Sequence, residues 1–169
     1  MLQDANSFWS FEMKIIGYQY NGPEEVSGLD SRWLRQHFKV SFQEKVWQWV
    51  SASLFFEEVP QLIDWLRAIA NSQDVKSSID FLEPDIRFEL IATDKNLATV
   101  RVCLARDWGY RKHSFKERWK ASTHTEYETD EVCQEFTVYV SDLVLAAGSL
   151  VDDLRKLPPR AGIDVASIR

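Results

Sequence analysis

No glycine-rich phosphate loop, no HExxH, no CxxC and no G-x-S-x-G stretch occurs anywhere in the 169 residues. Those absences remove the commonest ways of holding a nucleotide, a catalytic zinc or an activated serine. His37, His113 and His124 are scattered, and none stands at ligand spacing from another histidine or a cysteine. Ser149, in "AAGSLVDD", falls mid-helix, without the strand-to-turn context that a nucleophile needs. Adjacent carboxylates are plentiful, but any acidic chain has such pairs, and acid–base chemistry also needs a pocket and perturbed groups. The expectation is a protein with no enzymatic activity, no cofactor and no metal site.

Cysteine is scarce as well. Cys103 and Cys133 match no metal spacing and are too few for a disulfide framework, so the expectation is two reduced thiols in the core. The N-terminus, "MLQDANSFWSFEMK", has acid and amide groups where a signal peptide would be basic, and it lacks an apolar h-region. No stretch approaches the roughly 20 apolar residues of a membrane span. A cytoplasmic protein without membrane contact follows. Its 26 acidic against 20 basic residues leave a net charge of −6, which disfavours nucleic-acid binding and suits a basic partner.

Aromatic residues are abundant. Seven Trp, ten Phe and five Tyr exceed what a small core requires, so some rings should reach the surface. The length suits one domain, taken as residues 1–158, with a loose tail over 159–169. Residues 7–20, "SFWSFEMKIIGYQY", form a strand closed by Asn21, Gly22 and Pro23, and a loop runs to residue 32. In "WLRQHFKVSF", Leu34, Phe38, Val40 and Phe42 take one face, while Arg35, His37, Lys39 and Ser41 take the other. "EEVPQLIDWLRAIAN" (57–71) is a helix with Val59, Leu62, Ile63, Leu66 and Ile69 in one stripe and Pro60 in the first turn. Glu57 and Glu58 end the preceding strand and seat this helix. Further strands follow in "SSIDFLE", "PDIRFELIATD", "NLATVRVCLAR" and "EVCQEFTVYVS". A final helix, capped by Ser141 or Asp142, carries Leu143, Ala147, Leu150, Leu154 and Leu157 and stops at Pro158 and Pro159. Strands in runs, without βαβ alternation, predict an α+β fold: a mainly antiparallel curved β-sheet of six or seven strands with two amphipathic helices.

Two stretches pose functional questions. "VWQWVSASLFF" places Trp47 and Trp49 on one face of a strand. A two-residue loop at Glu44 and Lys45 would pair Phe42 with Trp47 and Val40 with Trp49, turning both indoles to the core. A three-residue loop would send both outward, to the face of His37 and Lys39. Turn statistics favour the inward register. Between residues 106 and 120 lie Arg106, Arg111, Lys112, Lys116, Arg118 and Lys120, interleaved with Trp108, Tyr110, Phe115 and Trp119. Glu126, Glu128, Asp130, Glu131 and Glu135 follow without a base. The basic aromatic ribbon 106–120 could serve an RNA-binding or regulatory adaptor. A β-ribbon in which basic and acidic strands neutralise each other is favoured, because the neighbouring acids repel phosphate.

Six landmarks can be taken together: "GYQY" (17–20), "DSRWL" (30–34), an apolar–polar strand pair, "EEVPQLIDWLRAI" (57–69), "IDFLEPDIRFEL" (79–90) and "LRKLPPR" (154–160). In this order and spacing they resemble the WapI-type immunity proteins of bacterial contact-dependent toxin systems, over roughly residues 8 to 160. The resemblance implies a cytosolic, non-enzymatic inhibitor whose partner is the nuclease-like toxic domain of a cognate effector. It carries no contact residues with it. From charge and ring exposure, the candidate partner contacts are Glu126, Glu128, Asp130 and Glu131, with Trp47 and Trp49 added if the register exposes them.

Overall fold

The computed structural model describes residues 1–6, 8–20, 28–105, 131–160 and 163, with backbone alone at residues 28, 29, 105, 131 and 132. Period-two alternation becomes two four-stranded antiparallel sheets instead of one sheet of six or seven strands. The first runs in order β1 (Leu2–Gln3), β2 (Trp9–Tyr18), β3 (Trp33–Phe42) and β4 (Lys45–Phe55). Helix α1 (Glu58–Ala70) then carries the chain off the β4 edge. The second sheet therefore starts anew, in order β5 (Ser78–Asp80), β6 (Ile86–Asp94), β7 (Leu97–Ala105) and β8 (Glu131–Tyr139). The Ala5 N–H donates to the Thr137 carbonyl at 2.7 Å and ties the two sheets together beside β1.

The inner faces meet through aromatic rings. Phe11 of β2 lies 6.3 Å from Phe38 in its own sheet, and 6.1 and 6.3 Å from Phe88 and Phe136 in the other. Phe38 and Phe136 are fully buried, each contributing roughly 2–3 kcal/mol by removal from water. Helix α2 (Val140–Arg155) packs against α1, and the predicted stripes of both helices lie in the same hydrophobic cluster. Helix α2 starts at Val140, ahead of the predicted caps, and Tyr139 at its N-cap makes no side-chain hydrogen bond. β8 runs straight into the helix, and the Val140 N–H donates instead to the Asn96 carbonyl at 3.0 Å.

Two buried polar side chains mend irregular strand pairing. Gln36, at the shift between β3 and β4, accepts the Ser53 N–H at 2.8 Å and donates to the Leu34 carbonyl at 2.9 Å. Asp153 reaches from α2 to accept the Ile15 N–H at 3.2 Å, where β2 shifts register before Gly17. Gly17 has φ +149, a backbone state that disfavours any residue with a Cβ. An inward polar residue breaks simple alternation, but here it supplies the partner the ladder lacks.

The cysteines correct the expectation of reduced thiols. Cys103 and Cys133 face each other across β7 and β8 with Cα atoms 4.0 Å apart and form a disulfide. Both are buried, as expected of core cysteines, but the 30-residue separation hid their pairing. A bridge closing a loop of that size restricts the unfolded chain by about 3.5 kcal/mol. Cys103→Ser, or reduction of the wild type, should lower unfolding stability by about 2–4 kcal/mol in urea titration. Identical transitions with and without reductant would show that the bridge does not form.

Candidate partner-binding corner

The sequence landmarks converge at one end of the molecule, where β2 ends, β3 begins and α1 starts. A 3₁₀ turn over Gly28–Arg32 leads into β3, and the Arg32 guanidinium pairs with Glu57. Glu58, in the first turn of α1, uses one carboxylate oxygen to accept the Phe55 N–H at 2.8 Å. Its other oxygen accepts the Leu82 N–H at 2.6 Å. One side chain thus fastens the end of β4 to the "FLEPD" loop. Asp85 in that loop accepts a hydrogen bond from the Ser53 hydroxyl at 3.1 Å. Pro84 lies in the turn before β6. Trp33 and Phe55 stack with ring centres 3.8 Å apart, packing the start of β3 against the end of β4.

Arg160 completes the corner. Its guanidinium donates to the Ser31 carbonyl at 2.5 Å and to the Tyr20 carbonyl, and it lies 3.8 Å over the Tyr18 ring. Tyr18 is buried, and its hydroxyl has no hydrogen-bond partner among the described residues. Burial pushes its phenol above the ordinary tyrosine range, and the Arg160 charge opposes that rise. Ile163 packs partly on the core, and its N–H donates to the Arg160 carbonyl at 3.1 Å. Within the stretch taken as a tail, Arg160 and Ile163 are both attached to the domain; residues 161, 162 and 164–169 lie outside the described residues. Alternation and helical spacing could not find this clamp, because its acceptors are backbone carbonyls more than 120 residues away.

The loop so braced presents an apolar tip. Leu82 is 68% exposed, with Glu83 and Pro84 exposed beside it. Exposed Asp30 and Glu57 lie on the neighbouring turn and helix start. An apolar projection flanked by carboxylates on a fixed backbone is suited to a basic-rimmed depression on a protein.

The candidate contacts fall elsewhere. A two-residue turn at Gln43 and Glu44 sets Val40 opposite Trp47 and Phe38 opposite Trp49. That register differs by two residues from the expected pairing, and an even shift keeps the same face. Trp47 is 6% exposed and lies 6.2 Å from Trp9. Trp49 is half-buried and stacks on Phe38 at 5.4 Å. The outward register that would make these indoles contacts is therefore not adopted. Glu126, Glu128 and Asp130, and the whole 106–120 ribbon, lie outside the described residues, as does the side chain of Glu131. Glu135, the last acid of that run, pairs with Arg101 at 2.6 Å.

The sequence matches the WapI-like immunity protein family over residues 1–158. The chain belongs to that family. No curated protein and no solved structure matches it. In this WapI-like immunity protein the matched span holds Tyr18, Tyr20 and Ser31 and ends two residues short of the arginine that binds them. No helix among the described residues is long and apolar enough to cross a membrane.

Arg160→Ala should cost about 2 kcal/mol, from lost charge-assisted hydrogen bonds and the cation–ring contact. Arg160→Lys should recover less than half, because an ammonium group lacks the planar fork that spans two carbonyls. Urea denaturation of both variants measures this. Wild-type stability in the alanine variant would mean that the clamp carries no energy.

Proposed function

We propose that this immunity protein binds the toxic domain of a cognate bacterial effector in the cytoplasm and neutralises it by covering its active cleft. The observation that carries this reading is the family match over residues 1–158. A nuclease-like target is what the family resemblance implies, and the charge is compatible with it: a domain that grips phosphates presents a basic surface, and this chain carries −6. The corner around Leu82 supports the same reading. Its backbone is held by the Glu58 and Asp85 bonds before any partner arrives, so little ordering entropy is lost on docking. Leu82 would enter an apolar depression while Glu57 and Glu83 meet its basic rim. The acids Glu126, Glu128, Asp130 and Glu131 are proposed as further contacts on charge alone. Long-range attraction between such surfaces speeds encounter and weakens as salt screens it.

Co-expression with a cognate toxin domain, sought in the gene immediately upstream, tests the proposal. The wild type should restore growth, and the purified pair should associate at least about tenfold more slowly in 0.5 M than in 0.02 M salt. Leu82→Arg and Glu83→Lys should each weaken binding by about tenfold or more with an unchanged melting temperature. Absence of both rescue and binding would overturn the reading. Substrate turnover by the purified chain, abolished by one point substitution, would do the same.

A further inference from the structure

The outer faces of the two sheets handle charge in different ways. On the second sheet both outward arginines are matched across strands. Arg87 pairs with Glu89 and lies 3.9 Å from Asp80, and Arg101 pairs with Glu89 at 2.7 Å and Glu135 at 2.6 Å. Opposite signs in register neutralise that surface.

The first sheet carries no such ladder. Its outward positions fall into the register rows Ser10–Ser41–Val46, Glu12–Lys39–Gln48, Lys14–His37–Val50 and Gly17–Arg35. Lys14 pairs with Glu12 at 2.7 Å. Among the described residues Arg35, His37 and Lys39 have no ion pair or hydrogen-bonded acid, although they alternate along one strand. Positions two apart on a strand are roughly 7 Å from each other, so these groups share one field. Three cations against one acid leave this face at +2 with His37 neutral, in a chain whose total is −6. Between and beside the cations, Ile16, Val46 and Val50 are 48%, 51% and 48% exposed. The face is thus cationic and partly aliphatic, with Glu12 as the one acid in its four rows.

We propose that the outer face of β2, β3 and β4 docks an acidic protein surface of the toxin, one whose carboxylates surround an aliphatic patch. The inference rests on the toxin-binding reading and names the partner chemistry at one surface of it. Arg35 and Lys39 meet the carboxylates, while Val50 and Ile16 cover the aliphatic centre. A protein fits better than a nucleic acid on three counts. None of the four register rows contains a Trp, Tyr or Phe ring, and the His37 imidazole is the one ring on which a base could stack. The net charge of the rest of the chain repels phosphate. The exposed aliphatic side chains gain only from an apolar counterpart. Corner and face also adjoin, because Arg35 stands two residues along β3 from Trp33. A partner presenting both a basic and an acidic region could engage the two together, which fixes orientation as well as affinity.

The test measures binding of the cognate toxin domain, identified by its neutralisation in co-expression, at 0.15 M salt, to four forms of the full chain. These are the wild type, Arg35→Glu with Lys39→Glu, Arg35→Ala with Lys39→Ala, and Lys76→Glu with Lys95→Glu. The last pair makes the same change in net charge away from the face. Reversal on the face should weaken binding by about a hundredfold and neutralisation by about tenfold, with the control within about threefold of wild type. The alanine pair keeps the test informative if reversal disturbs folding. Wild-type affinity in both face variants would overturn the inference and leave the toxin-binding reading intact. Equal losses in face and control variants would also overturn it, by assigning the effect to net charge. A wild type that does not bind the toxin would remove the functional reading and this inference with it. A single-stranded RNA oligonucleotide bound by the wild type and released by the alanine pair would assign the face to nucleic acid instead.

Discussion

The contact on which the structure depends is Phe11 against Phe38, Phe88 and Phe136. Each sheet is antiparallel with one apolar face, and such a face is stable only when something covers it. Here each sheet covers the other around this ring cluster, and the helix pair closes the remaining side within the same core. Arg35, Lys39, Arg87 and Arg101 face outward because their strand neighbours are committed inward. The charged ladder on one sheet and the excess of cations on the other are consequences of that arrangement.

A core assembled from two sheets and two helices needs irregular strands, and irregular strands leave backbone groups without partners. Gln36 and Asp153 supply them from side chains. Their burial costs little because each is bonded where it lies. Glu58 and Arg160 do comparable work at the surface corner, where one carboxylate serves two N–H groups and one guanidinium serves two carbonyls. Polar residues with several good acceptors or donors in a fixed geometry hold together segments that share little apolar contact.

For an immunity protein the division of labour is instructive. At this corner the residues that hold the frame are mostly distinct from those proposed to meet a partner. Glu58, Asp85 and Arg160 hold the frame, Leu82 and Glu83 project from it, and exposed Glu57 does both through its pair with Arg32. The first sheet repeats the pattern, with Phe38 and Val40 inside and Lys39 and Arg35 outside. Binding surfaces on rigid elements lose little entropy when they are covered. The surface sets of this chain can therefore vary in charge and shape while the inward set stays constrained by packing.

Alternation and helical spacing by themselves determined the α+β class, the inward face of β3 and both helical stripes, and turn statistics favoured, without deciding, the inward setting of Trp47. These properties repeat with the period of a strand or helix, so local order is enough to read them. The landmarks also determined family, because their order and spacing survive without knowledge of contacts. The tertiary structure alone decided the split into two sheets, the Cys103–Cys133 bridge, the attachment of Arg160, and which cations lack an acid. Each of these depends on which distant segments lie side by side. That pairing is settled by the shared burial of whole faces, a quantity no local stretch contains.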